Sequence, residues 1–328
     1  AKPGPGQRLC VSTASCGHRL RNGAKLGLPG GPLGLLEHFR KLGAGGGQIG
    51  VRNWTDEGVA GKLRAYCEEH GLRLEGQISL PSNSLDTGRF DRQVRAAKEA
   101  GATLLRTVCL SGRRYEIFKS LEHWKHFVQT SHARVRRAEP VLARHGVQLA
   151  IENHKDWRTG EFLQMMEKFS QPHIGINLDT GNNLSLLEDP MAVTEALAPF
   201  TLTTHLKDMA VQAYEDGFLL AEVPLGQGFL DLPRIVRTCR KARADVQFNL
   251  EMITRDPLRI PCKTPAYWAT FNKKKLAQDL ADTLSRVQTH QKESPLPSLG
   301  RMSTAQKVAA EEANNRASFQ YAREHLAL

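Results

Sequence analysis

The stretch VQLAIENH (147–154) is a short apolar run that ends in a glutamate, and it decides the interpretation of the chain. Three later stretches repeat it, each with the length and β-branched bias of a buried strand: IGINLDTGN (174–182), TLTTHLKD (201–208) and VQFNLEMI (246–253). In a parallel α/β barrel the carboxyl ends of all strands converge on one face. We therefore predict that the polar residues at these ends meet at one point: Glu152, Asp179, His205 and Glu251.

The residue types at these four positions indicate a metal site. A single Asp or Glu after a strand is most often a helix N-cap or a solvated loop residue. Four polar residues at equivalent positions of consecutive strand–helix units must, however, meet in space. Three carboxylates and one imidazole suit a hard divalent cation better than a thiolate-seeking one. The sequence predicts one divalent metal per chain, with Mn²⁺ favoured and Mg²⁺, Co²⁺ or Zn²⁺ left open.

The first half of the chain shows the same alternation of strand and helix. Four further strands are predicted at 8–13, 47–51, 73–81 and 103–110. Eight strand–helix units favour a closed α/β barrel, the TIM (β/α)8 fold, over an open sheet. We assign residues 8–262 to the barrel and 263–328 to a C-terminal helical extension, which we expect to pack on the barrel or on a neighbouring subunit.

Some local features are also predicted. Pro140 is expected to break or kink a long helix over 120–145. Residues 213–232 form a longer excursion between the seventh and eighth strands, with a tight turn at Gly226–Gly228. The segment 265–292 is predicted to be helical.

Composition excludes several classes of protein. Forty per cent of the residues are hydrophobic and 24% are charged, as in ordinary globular domains. No apolar run approaches the ~18–20 residues of a membrane span. The first residues, AKPGPGQRLCVSTAS, lack a signal-peptide stretch, so a cytoplasmic location is expected. The chain begins at Ala1, which leaves a removed export signal open. Six scattered cysteines without a C-x-x-C pair are expected to be reduced.

The net charge of +11 raises the question of nucleic-acid binding. The basic residues, however, fall in helix-like stretches that would form the outer ring of a barrel, and few aromatic residues accompany them. We interpret them as solvated helix faces and expect no nucleic-acid partner.

The ordered set of I-E-N-H (151–154), L-D-T-G-N (178–182), H-L-K-D (205–208) and Glu251 resembles the xylose isomerase-like TIM barrel superfamily. Within it, the likeness is to the ketose 3-epimerases and the sugar phosphate isomerase/epimerase group, and it covers about residues 8–255. The resemblance implies that the four residues hold Mn²⁺ or a similar ion. It also implies that Glu152 and Glu251 act as the acid/base pair.

The chain departs from the epimerase pattern at two positions. The epimerases place a histidine three residues after the metal aspartate, where this chain has Asn182, and a glutamate six residues after the first, where it has Arg158. Both residues contact substrate in those relatives. We therefore expect this chain to share the fold and the metal site of the epimerases more closely than their substrate.

The chemistry expected of two glutamates and a metal is proton transfer next to a carbonyl. A divalent cation polarises the carbonyl and stabilises a metal-bound enediolate, while a glutamate removes the proton. We predict a metal-dependent sugar isomerase or epimerase whose substrate, a sugar or sugar derivative with or without phosphate, is chelated through two adjacent oxygens. A 3-keto-glycoside lyase (deglycosidase) or a dehydratase would use the same groups. An endonuclease-like phosphodiesterase and an inactive binding module are remoter alternatives.

Supporting residues are predicted around the metal. Those expected to bind substrate are His154, Asn182, Lys207, Arg106 and Trp54. His154 would meet a hydroxyl, Lys207 an oxyanion or phosphate, Arg106 a carboxylate of the site, and Trp54 the face of a sugar ring. Structural roles compete with these for His154, Arg106 and Trp54. Asp208 is expected to orient His205 or Lys207. A homo-oligomer is left open.

Overall fold

The computed structural model describes residues 8–169 and 172–328, so part of the N-terminal stretch discussed above, residues 1–7, lies outside it. Eight parallel strands close into a barrel in which neighbours along the chain also pair, and the last strand closes on the first. The barrel strands are β1 (Cys10–Ser12), β2 (Gly46–Gly50), β3 (Arg73–Gln77), β4 (Leu104–Thr107), β5 (Gln148–Glu152), β6 (Ile174–Asp179), β7 (Thr201–Leu206) and β10 (Gln247–Leu250). The predicted TIM barrel is confirmed.

Helices surround the barrel. They are α1 (Gly17–Asn22), α2 (Gly31–Leu42), α3 (Val59–His70), α4 (Thr87–Glu99), α5 (Arg114–Ile117), α6 (Leu121–His145), α7 (Thr159–Phe169), α8 (Pro190–Leu197) and α9 (Leu232–Ala242). In α9, Ile235, Val236 and Cys239 are buried, while Arg237 and Lys241 are exposed. The basic residues Arg237 and Lys241 thus lie on a solvated helix face, as predicted.

Helix α6 is continuous through Pro140, so the predicted break is wrong, while the alternative of a kink stays a prediction. A proline removes one helical hydrogen bond, but the turns on both sides of it are anchored in the core. Val135 and Ala138 before it, and Val141 and Leu142 after it, are buried. Tertiary packing therefore outweighs the local preference.

A second sheet that the sequence did not predict lies beside the barrel, and two of its three strands belong to the connection before β10. The hairpin β8 (Asp208–Tyr214) and β9 (Gly217–Val223) is extended by β11 (Leu258–Ile260), which pairs antiparallel with β9. The sheet's buried side chains, such as Phe218 and Ile260, form a second apolar cluster beside the barrel.

Asp208 holds the predicted turn at Gly226–Gly228. Its Oδ2 accepts hydrogen bonds from the backbone N–H groups of Gly226 and Gly228, both at 2.9 Å. A Cβ at Gly228 would lie 2.1 Å from Asp208 Oδ1, which explains the glycine. The expectation that Asp208 orients His205 or Lys207 is therefore wrong, because backbone donors occupy its carboxylate.

The C-terminal extension packs on the barrel. The predicted helix over 265–292 is instead a 3-10 turn (Pro265–Thr270) and helix α10 (Ala277–His290), and α11 (Thr304–Tyr321) follows. Helix α11 lies against α1, α2 and the turn after β1. The Nδ2 of Asn315 donates to the backbone oxygen of Ser15 at 2.8 Å. Barrel and extension are thus in contact, and their division at residue 262 stays a prediction.

The six cysteines are buried and free, which agrees with the expectation of reduced thiols. Over the described residues, no helix combines the length and apolar character that crossing a bilayer requires.

Candidate metal centre

The four predicted ligands converge at the carboxyl ends of β5, β6, β7 and β10. One ligand atom from each of Glu152, Asp179, His205 and Glu251 lies within 4.8 Å of all the others, and all four residues are buried. The Nδ1 of His205 is 3.2 Å from Glu152 Oε2, 3.1 Å from Glu251 Oε1 and 3.9 Å from Asp179 Oδ2. The predicted convergence is confirmed.

The protonation of His205 makes this cluster suitable for a cation. Its Nε2 lies 2.8 Å from the side-chain oxygen of Gln48, an acceptor only, so Nε2 carries the proton in the neutral ring. That leaves the Nδ1 lone pair facing the carboxylate oxygens, and within the described chain Nδ1 makes no hydrogen bond of good geometry. Oxygens and a nitrogen lone pair this close need a positive charge between them. The donor set fits a divalent metal.

Further polar residues inside the barrel position the histidine. Gln48 Nε2 donates to Glu75 Oε2 at 3.0 Å, and Glu75 also accepts from Thr203 Oγ1 at 3.0 Å and Asn249 Nδ2 at 3.2 Å. Burial raises the pKa of Glu75. The sequence analysis did not identify this series of hydrogen bonds, because Gln48 and Glu75 lie within strands rather than at their ends. The sequence does contain a signal for them: each is a polar residue within a strand, flanked by one glycine and one apolar residue.

Opposite charges keep the two predicted acid/base glutamates ionised. Burial raises the pKa of Glu152, but Arg106 and His205 outweigh it and the net shift is downward. For Glu251 burial is likewise outweighed, here by His205 and Lys207, and the pKa falls well below its usual value. Burial lowers the pKa of His205, yet Glu251 and Glu152 bring it to about 9, so without a metal Nδ1 carries a proton that a bound metal would displace. Both glutamates are therefore ionised at neutral pH, whereas burial raises the pKa of Asp179.

Four of the five predicted substrate residues lie around this cluster. Arg106 pairs with Glu152, and Lys207 Nζ is 2.6 Å from Glu251 Oε2. Asn182 Nδ2 donates to Glu152 Oε1 at 3.2 Å. His154 is half-buried, and burial lowers its pKa to about 4, so its ring is neutral at pH 7. Their contact with a substrate stays a prediction.

Trp54 lies elsewhere. It belongs to the 3-10 turn Arg52–Thr55, which packs against α3 and α4, and it is only 1% exposed within the apolar core. This position disfavours the predicted contact with a sugar ring, because the indole is enclosed by core residues.

Lys155 is a residue of the site that sequence reasoning missed. Its side chain is buried and its Nζ donates to Asn182 Oδ1. Burial, with Lys207 and Arg255 nearby, lowers its pKa to about 7. Nothing in the sequence marks it, since a lysine three residues beyond a strand-end glutamate is ordinarily a solvated loop residue. Arg255, paired with Glu222 of β9, is a further cation beside the site.

The closed parallel barrel and its cluster of strand-end ligands define a class of protein. The chain belongs to the xylose isomerase-like TIM barrel family, whose sequence pattern matches residues 36–285. Its relatives include the 3-oxo-isoapionate decarboxylase of Pectobacterium atrosepticum, which is 28% identical over 228 residues, or 67% of this chain and 78% of the relative.

Solved structures with the same fold cover most of this chain. One is a xylose isomerase-like TIM barrel protein from Mycobacterium smegmatis in complex with magnesium, with a TM-score of 0.58 and 17% identity, covering 85% of this chain and 98% of that one. Another is an L-ribulose 3-epimerase, with a TM-score of 0.56 and 12% identity, covering 88% of this chain and 100% of that one. At these identities the likeness establishes the fold alone.

Proposed function

We propose that the protein is a divalent-metal-dependent sugar isomerase or epimerase that moves a proton on the carbon next to a carbonyl, through an enediolate. The observation that carries the proposal is the placement of two ionised glutamates around one imidazole nitrogen. Glu152 and Glu251 lie 3.2 Å and 3.1 Å from the same His205 Nδ1. Two bases at one metal site are what removal and return of a proton require.

Each residue of the cluster has a separate role in the proposed reaction. A bound metal, held by Glu152, Asp179, His205 and Glu251, would supply the electrophile that polarises the substrate carbonyl. Glu251 takes the proton, and Lys207 at 2.6 Å keeps its carboxylate ionised beforehand. Glu152, paired with Arg106, takes up a proton from solvent and delivers it to the enediolate, while Glu251 passes its proton to solvent. Return to the same carbon from the other side gives an epimer, and return to the neighbouring carbon interconverts aldose and ketose.

Two further findings support the proposal. The chain belongs to the xylose isomerase-like family, and one protein of the same fold is an L-ribulose 3-epimerase. Asn182, which replaces the epimerase-type histidine, still points into the site, where it donates to Glu152. It can therefore take part in holding a substrate hydroxyl.

A second candidate function is decarboxylation of a sugar keto acid. The ammonium group of Lys155, which lies beside the ligand cluster without a carboxylate partner in the described chain, favours it, and so does the relative that is a 3-oxo-isoapionate decarboxylase. Loss of CO₂ from the carbon next to a carbonyl leaves its bonding electron pair as an enediolate. A glutamate of the site that has taken up a proton from solvent then protonates that carbon, which completes the reaction. The same site would serve both reactions.

The test is a panel of free ketoses, sugar phosphates, 3-keto-glycosides and sugar 3-keto acids, incubated with the Mn²⁺-loaded protein in D₂O. We expect deuterium at the carbon next to the carbonyl in at least one class, with an isomer or epimer as product. Deuterium in none of them would overturn the proposal. Deuterium accompanied by CO₂ would establish the second candidate, and release of an aglycone would replace both with elimination.

A further inference from the structure

Lys155 has a backbone conformation that a lysine adopts only when its surroundings enforce it. Its φ is +61°, in the left-handed region, and it is one of few non-glycine residues there in the described chain. Lys155 lies three residues beyond the end of β5, and it is 3% exposed. Strained residues of this kind cluster at functional sites.

The ammonium group of Lys155 reaches the edge of the ligand cluster. Its Nζ donates to Asn182 Oδ1, and the same oxygen lies 3.3 Å from the Nζ of Lys207. Lys207 in turn lies 3.0 Å from Asp179 Oδ2. Two ammonium groups therefore share one amide oxygen, and one of them touches a metal ligand directly.

Lys155 differs from the other cations of the site in its partner. Arg106 pairs with Glu152, Lys207 with Glu251, and Arg255 with Glu222. Among the described residues, no carboxylate lies within ion-pair distance of Lys155 Nζ, which has only the amide oxygen. Burying an ammonium without a counter-charge is unfavourable, so this position is maintained at a cost in stability.

The charge balance of the whole site also favours an anion. Four cations face four carboxylates around the centre: Arg106, Lys155, Lys207 and Arg255 against Glu152, Asp179, Glu222 and Glu251. Two other buried carboxyls, Glu75 and Asp156, pair with none of these four cations: Glu75 accepts from Gln48, Thr203 and Asn249, and Asp156 accepts from backbone N–H groups. A divalent cation in the centre would then leave a positive excess that an anionic ligand neutralises.

We propose that Lys155, with Lys207 and Asn182 beside it, binds a carboxylate of the substrate, so that the protein acts on sugar acids rather than on neutral sugars. This inference rests on the proposed function in one respect, namely that the sugar binds at the same metal cluster. It adds the class of substrate and the residue that selects it.

The position of Lys155 favours a carboxylate over a phosphate. Its partner Asn182 also donates to Glu152, a metal ligand, at 3.2 Å. An anionic group bound to Lys155 would therefore lie close to the oxygens that approach the metal. A carboxyl carbon can be attached there directly, whereas the phosphate of a sugar phosphate lies at the far end of the carbon chain. The deep burial of Lys155 also suits the smaller, planar group.

The experiment compares erythronate with erythritol, two four-carbon ligands that differ by a carboxylate. Their affinities for Mn²⁺-loaded protein are measured by calorimetry for the native chain, Lys155→Met, Lys155→Arg and the exposed control Lys273→Met. A carboxylate also binds metal directly, so a preference for erythronate is not informative by itself. The informative quantity is the loss of erythronate affinity caused by Lys155→Met. Neither methionine nor arginine changes the requirement for a positive φ relative to lysine. Metal affinity, measured separately, is expected to be the same in all four proteins.

We expect the native protein to bind erythronate about tenfold or more tightly than erythritol, and Lys155→Met to weaken erythronate by about tenfold or more. Erythritol affinity should stay unchanged, and Lys155→Arg should recover part of the loss. Equal affinity of native protein and Lys155→Met for erythronate would overturn the inference. If the methionine variant does not fold, equal binding of erythronate and erythritol to the native protein overturns it.

Erythritol 4-phosphate distinguishes the two sources of negative charge. A Lys155-dependent preference for the phosphate over erythronate would overturn the carboxylate assignment. Failure of the proposed reaction is visible separately, as the absence of deuterium exchange with every substrate while Lys155-dependent erythronate binding persists. Conversely, exchange on neutral ketoses as fast as on keto acids would contradict the inference and leave the proposed reaction standing.

Discussion

The Nε2 of His205 lies 2.8 Å from the side-chain oxygen of Gln48, across the interior of the barrel from β7 to β2. This hydrogen bond fixes the ring proton on Nε2 and turns Nδ1 towards the carboxylates of Glu152 and Glu251. Gln48 is held in turn by Glu75. The orientation of this proposed metal ligand thus depends on residues that do not belong to the ligand cluster themselves.

Replacing Gln48 with methionine should weaken metal binding without unfolding the protein. The variant removes the acceptor for His205 Nε2, and partners of this kind typically contribute about 10–100-fold to metal affinity. We expect the dissociation constant for Mn²⁺ to rise by that factor in a competition titration. The control, Gln278→Met, changes an exposed glutamine of α10 and should match the native protein. An unchanged dissociation constant for Mn²⁺ in Gln48→Met would show that Gln48 does not contribute to metal binding.

Replacing Glu251 with glutamine should abolish proton transfer while keeping the fold. The amide cannot accept the proton, so deuterium exchange at the substrate carbon should fall by about 10²–10⁴-fold, with some metal retained. Mass spectrometry of the recovered substrate measures this exchange. Glu68→Gln, on the exposed face of α3, is the matched control. Turnover at the native rate would exclude Glu251 as the base.

The barrel and its four strand-end residues could be predicted because they depend on a repeated pattern. Each ligand follows an apolar run that is long enough to cross the barrel, and strand ends in a parallel barrel have one place to converge. Glu152, Asp179, His205 and Glu251 were therefore recognisable without any knowledge of side-chain orientation.

The remaining features depend on three-dimensional packing. Lys155 enters the site because its φ is positive, which no local sequence signal requires. Gln48 lies inside a strand, where a polar residue ordinarily indicates an outward side chain. The sheet of β8, β9 and β11 was missed because β11 follows β10 and pairs with β9, a contact between distant segments. Trp54 looked like a rim residue, but the turn that carries it folds against the outer helices.

Asp156 should make stability depend on pH. Burial raises its pKa to about 7, and its Oδ2 is buried without a hydrogen-bond partner in the described chain. Because the folded-state pKa lies above the unfolded value, the folded protein binds this proton more tightly. The resulting stabilisation is complete at low pH and is lost as the pH rises towards 7 and above.

Asp156→Asn should remove that dependence, since the amide is neutral at every pH. We expect the variant to melt roughly 2 °C or more above the native protein at pH 8, with a smaller difference at pH 5. Calorimetry at the two pH values measures this, with the exposed Asp245→Asn as control. A difference that does not grow between pH 5 and pH 8 would contradict the assignment.

Asn315 should anchor the C-terminal extension to the barrel. Its buried Nδ2 donates to the backbone oxygen of Ser15. Asn315→Leu leaves that oxygen without its donor and should lower the free energy of unfolding by about 1–3 kcal/mol. Urea denaturation measures the change, and Gln320→Leu on the exposed side of α11 is the control. Equal stability of Asn315→Leu and native protein would show that the extension adds little to the fold through this contact.

The most direct test is anomalous X-ray diffraction from crystals of the protein grown with Mn²⁺. The account predicts one strong manganese peak per chain, with oxygen or nitrogen atoms of Glu152, Asp179, His205 and Glu251 about 2.0–2.6 Å away. The peak should disappear in crystals of Asp179→Asn with the rest of the barrel unchanged. Manganese bound only elsewhere, or no peak among these four residues, would contradict the account.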